Sequence, residues 1–101
     1  MAQLTEEARA ALERLLEHAQ RDTGHSRRVA DFLLAWWNAG ECGGFDLTTA
    51  WSLDDDIVHD VVLLFGWVAY HKVYPDTLGY GSQFEALVRD WRPELVQPRE
   101  G

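Results

Sequence analysis

Apolar residues recur along this chain in helical steps, in four separate stretches. Leu4, Ala8, Ala11, Leu12, Leu15, Leu16 and Ala19 lie three and four residues apart. That spacing gathers them on one face and predicts a helix over about Glu6 to Arg21. Thr5 is placed to cap its first turn, and Glu6 and Glu7 suit the positive end of the helix dipole. Gly24 then interrupts the pattern. A second helix is expected to start between Thr23 and Ser26 and to run to about Ala39, with Val29, Phe32, Leu33, Trp36 and Trp37 as its apolar positions. Neighbouring residues on a helix point about 100° apart. Trp36 and Trp37 therefore need either cover on two sides or partial exposure of one indole.

Asn38 to Asp46 is rich in glycine and reads as a loop, with Gly40 ending the second helix in the left-handed conformation. Asp46 is expected to cap a single turn, Leu47 to Trp51. Ser52 and Asp55 form a capping box for a third helix, Leu53 to Lys72. Ile57, Val61, Leu64 and Val68 line one stripe of that helix, and Val58, Val62, Phe65 and Ala69 line a second beside it. A helix apolar on most sides belongs at the centre of a bundle. Pro75 ends it by Val73. Ser82 and Glu85 form another capping box, followed by Phe84, Leu87, Val88 and Trp91 at helical steps, with Pro93 as the stop. Residues 97–101 read as a frayed tail. No stretch alternates as a strand does. The expected fold is all-α: a four-helix bundle or irregular helical cluster with one extra short helical turn, residues 1–101 forming one domain.

Composition fits a folded chain, with 47% hydrophobic residues and five tryptophans. Charge adds more. The 17 acids and 9 bases give a formal net charge of −8. Residues 29–79 hold Asp31, Glu41, Asp46, Asp54, Asp55, Asp56, Asp60 and Asp76 against the one base Lys72. This balance argues against nucleic acid or an anionic membrane as a direct partner. The longest apolar run, Val61 to Tyr70, is about half the ~20 residues of a membrane span. One cysteine, Cys42, excludes an intramolecular disulfide and suits a reducing compartment. With no signal-peptide pattern at the start, the expected location is the cytoplasm.

Three patterns touch on chemistry. His25, with His59-Asp60 further on, resembles the metal phosphohydrolases named for their His-Asp doublet, in which such residues hold a cation that activates water. Here the doublet leads into Val61-Val62-Leu63-Leu64-Phe65 rather than a glycine-containing turn, and no later aspartate completes the set. The alternative pairs His59 with Asp55 one turn earlier. Asp54-Asp55-Asp56 lacks the alternating oxygens, glycine and distal glutamate of a calcium loop and reads as a solvated helix start. Gly40-Glu41-Cys42-Gly43-Gly44 lacks the lysine and hydroxyl ending of a phosphate loop, and Cys42 has no identifiable base. No motif calls for a cofactor.

The tryptophans exceed what a small core needs. Trp36, Trp37, Trp51, Tyr74 and Tyr80, beside Asp54, Asp55 and Asp56, are the candidates for a partner-binding surface. Two stretches carry a family likeness. They are Leu33-Leu34-Ala35-Trp36-Trp37-Asn38-Ala39-Gly40-Glu41-Cys42-Gly43-Gly44-Phe45-Asp46-Leu47, and Tyr74-Pro75-Asp76-Thr77-Leu78-Gly79-Tyr80-Gly81 through Phe84-Glu85-Ala86-Leu87-Val88-Arg89 to Trp91-Arg92-Pro93. Together they resemble a family of short, uncharacterised proteobacterial proteins often found on mobile elements, a likeness covering most of residues 28–96. The resemblance implies a bacterial cytoplasmic protein and transfers no catalytic residue. The leading expectation is a small acidic non-enzymatic protein-interaction module that binds a protein partner or self-associates. The alternatives are an anti-defence or regulatory factor meeting a basic nucleic-acid-binding partner, and the His-Asp phosphohydrolase-like enzyme.

Overall fold

Helix α1 (Glu6–Ala19) is the element against which both long helices of the chain pack. The computed structural model describes residues 3–96, so the expected frayed tail at 97–101 lies outside the described residues. Thr5 caps α1 as its position predicts, its hydroxyl accepting the Ala8 amide at 3.0 Å. The stripe from Ala8 to Ala19 is buried as its spacing requires. Helix α2 (Gly24–Cys42) begins at a second hydroxyl cap, Thr23, which accepts the Ser26 amide at 3.1 Å. Helix α3 (Asp55–His71) and helix α4 (Gly81–Trp91) follow, and α4 packs on α2. Among the described residues there is no strand, and no helix is long and apolar enough to cross a membrane. The fold is an all-α cluster. Its short 3-10 helices are Leu47–Ser52, capped by Asp46 as expected, and two unforeseen ones, Pro75–Leu78 and Pro93–Leu95.

Several local expectations fail for identifiable reasons. Helix α2 does not stop near Gly40. It kinks at Asn38 (φ −160°, ψ 76°), whose side chain accepts the Glu41 amide and so starts one more turn. Gly43, at φ 98°, ends the helix instead, in backbone that a side chain rarely adopts. Ser52 does not cap α3, because its hydroxyl donates to the Thr49 carbonyl and closes the 3-10 helix. Ser82 lies inside the first turn of α4 and turns to Gln83. That helix starts at Gly81, where an added Cβ would stand 3.3 Å from the Asp76 Cβ.

Two contacts set the relative direction of α2 and α3. Near their beginnings, His25 Nε2 lies 3.1 Å from the Ser52 carbonyl. Further along, the Trp36 indole donates to the Val73 carbonyl at 2.9 Å. The two helices therefore run parallel, and residues 43–54 carry the chain back between them. Both pack on α1, and their backbones come close to each other at few points.

Candidate interaction groove

The gap between α2 and α3 is an open apolar groove of about 450 Å³. Phe32, Ala35, Trp36 and Ala39 form one wall, and Val61, Val62, Phe65 and Val68 form the other. The return segment contributes Gly44, Phe45, Leu47 and Ala50. Phe45 is fixed edge-on to Phe32 at 5.4 Å between ring centroids, which anchors that segment on α2. No lining side chain offers a free polar group, since the Trp36 indole is already committed to Val73. Three of the lining residues are largely exposed, Leu47 at 79%, Val62 at 64% and Phe65 at 58%, and Trp51, next in the chain to Ala50, is 85% exposed. A smaller recess lined by Trp36, Val68, Lys72, Val73 and Tyr74 shares Trp36 and Val68 with it.

The sequence-predicted aromatic set divides here. Trp51 and Tyr74 are exposed, and Trp36 lines the groove. Trp37 is half-buried, and both Trp36 and Trp37 meet Phe84 in T-shaped pairs, with ring centroids 5.7 and 5.9 Å apart. Tyr80 does not join a surface. It is 6% exposed, its hydroxyl receiving from Arg9 and donating to Glu13, each at 3.0 Å. Burial, and then the bond to Glu13, push its phenol above the usual value. Asp54, Asp55 and Asp56 are exposed at the start of α3.

The three proposed metal ligands form no joint site, although His59 Nδ1 lies 3.8 Å from the neighbouring Asp60. Asp60 is 5% exposed and both its oxygens accept from Arg14 at 2.8 Å, a bidentate pair across α1 and α3. His25 faces Ser52 and lies 3.9 Å from Asp54, while His59 is exposed. Among the described residues no group of three or more His, Cys, Asp or Glu side chains is placed to hold a metal ion. Cys42 is buried, and burial raises its thiol above the usual value, with Arg92 opposing and Glu41 and Glu94 reinforcing. A protonated, covered thiol is a poor nucleophile.

Burial also sorts the acids. Asp31 meets Arg92 at 2.7 Å and Asp60 meets Arg14. Among the described residues, Glu41, Asp46, Asp54, Asp55, Asp56 and Asp76 form no ion pair with lysine or arginine. Asp46 accepts the Thr48 hydroxyl at 2.8 Å and its amide at 2.9 Å, which hold its carboxyl below the usual range.

A family model described as a family of unknown function (DUF7673) matches residues 9–92, most of the chain. The chain belongs to this family. No curated protein and no solved structure matches it. The family match begins at Arg9, which holds Tyr80, and ends at Arg92, which donates to Asp31 and to the Cys42 carbonyl on α2. It thus takes in every element that walls the groove.

Sequence reasoning missed Val61, Val62, Phe65 and Val68 as groove residues. It read α3 as central and covered, whereas Val62 and Phe65 face outward. The usable signal was the apolar excess of α3 itself, since so few helices cannot cover one that is apolar on most sides.

Proposed function

We propose that this protein is a small non-enzymatic interaction module that seats a protein partner in the groove between α2 and α3. The observation carrying this reading is an open groove lined by apolar side chains, among them the exposed Leu47, Val62 and Phe65. Contiguous apolar surface left uncovered on a small chain marks a contact site. Aromatic residues beside it supply the large anchors typical of interfaces. The paired Asp60, the separated histidines and the buried Cys42 supply no catalytic constellation to set against this reading. A bacterial cytoplasmic setting, on a mobile element, agrees with the family likeness of the two aromatic stretches and with the single cysteine.

The test is photo-crosslinking in cells. A photoreactive residue at position 62 or 65 is expected to give discrete adducts, and one at exposed Glu7 on α1 to give none. Groove positions as silent as Glu7 would defeat the reading.

A further inference from the structure

The apolar floor and the surrounding charge together say what kind of partner fits. Resting on the interaction reading above, we infer that the groove takes an amphipathic helix of another protein, its apolar stripe flanked by lysine or arginine. Two roughly parallel helices with a gap between them offer a trough for a third, read by apolar anchors at i, i+3, i+4 and i+7. Among the described residues, three exposed carboxylates without a lysine or arginine partner neighbour the lining residues along the chain. Asp46 lies between lining residues Phe45 and Leu47, and Glu41 lies between Ala39 and Gly44. Asp55 stands two helical turns before Val62, and seven residues nearly restore the same direction on a helix. Of the bases in this region, Lys72 lies at the end marked by Val73 and Tyr74, Arg92 is engaged by Asp31 and the Cys42 carbonyl, and Arg28 stands one turn before Phe32 on α2.

Charge weighs against other occupants. A second copy would set this acidic rim against its own duplicate, each chain carrying a formal −8. A fatty acid or anionic lipid would bring its own negative group to the same rim. A small polar ligand would find no free polar side chain in the lining to orient it. A basic amphipathic helix satisfies floor and rim at once.

The experiment uses three synthetic 18-residue peptides. One has a leucine stripe flanked by lysines, one has the same stripe flanked by glutamates, and one is the lysine peptide with its stripe scrambled. Binding is measured by calorimetry at low and high salt. The proteins are the full chain, a floor variant (Val62→Ser with Phe65→Ser) and a rim variant (Glu41→Gln, Asp46→Asn and Asp55→Asn). Circular dichroism verifies that each variant folds. The striped lysine peptide is expected to bind roughly tenfold or more tightly than either other peptide. The floor variant should abolish this binding, and the rim variant should weaken it several-fold and flatten its salt dependence. Equal binding of the lysine and glutamate stripes, or an unchanged rim variant, overturns the basic partner while leaving the groove reading standing. Lysine-peptide binding that survives in the floor variant overturns the proposal, because acidic surface alone then accounts for it. If no peptide binds and sedimentation shows a dimer broken by Phe65→Glu, the occupant is a second copy and the proposal fails. If no peptide binds and the chain is monomeric, the proposal fails, and the crosslinking at position 62 decides the groove reading separately.

Discussion

Leu64 and Phe65 are neighbours on α3 and look equally apolar in the sequence, yet they meet opposite surroundings. Leu64 is fully buried in the core, while Phe65 stands on the groove, more than half exposed. The same contrast divides the molecule. On one side Leu12, Leu15, Leu33, Leu64, Phe84 and Leu87 interlock with no exposed surface. On the other side, residues of similar chemistry line a space that none of the described residues fills. Hydrophobicity reports a demand for cover. Whether the chain itself supplies the cover is a separate matter.

The largest effect should come from the closed side. Leu64→Ala is expected to cost about 2–5 kcal/mol in chemical denaturation, and Phe65→Ala under about 1 kcal/mol. Equal costs would mean that the groove is closed in solution. Next is Arg92, which ties the end of α4 to α2 through Asp31 and the Cys42 carbonyl. Arg92→Ala strands a half-buried carboxylate and a carbonyl, and should cost about 2 kcal/mol. A loss close to zero would show that α2 is held by its apolar contacts alone.

A smaller effect is pH-dependent. Because burial and the Glu13 bond favour the neutral Tyr80 phenol, the folded chain keeps that proton at a pH where the unfolded chain, with its phenol pKa of about 10, has begun to lose it. The stability from this phenol is complete below that pH and declines as pH rises toward the folded-state value. Tyr80→Phe should therefore lower stability at neutral pH and flatten its fall above about pH 10, measured as unfolding midpoints across that range. An unchanged slope would place the phenol in water. Smallest of all, Trp51→Ser and Val62→Ser should each shift unfolding by less than about 0.5 kcal/mol. A larger loss from either would identify a folding role on the open side.

Much of the closed side was legible in the sequence. The stripe of α1, its Thr5 cap and the start of α2 between Thr23 and Ser26 follow from local spacing and local hydrogen bonds, as does, on the open side, the turn capped by Asp46. The capping boxes at Ser52 and Ser82 did not form, because each hydroxyl has a competing partner nearby, the Thr49 carbonyl and the Gln83 amide oxygen. The groove was illegible for a different reason. Periodicity identifies the apolar face of α3 but not which neighbour covers it, and that depends on where α2 and α3 each pack on α1. Tyr80 was misplaced likewise: its glycine-rich surroundings suggest a surface loop, while Arg9 and Glu13 on α1 draw its hydroxyl inward.

The exposed face around Leu47, Trp51, Val62 and Phe65 also bears on how the free protein behaves in concentrated solution. An uncovered apolar trough is an adhesive surface, and net charge is what keeps such surfaces dispersed. The unpaired carboxylates along this one thus serve as its colloidal protection. Acidification toward the isoelectric point of about 4.7, where the net charge vanishes, should bring on clouding before it brings on unfolding.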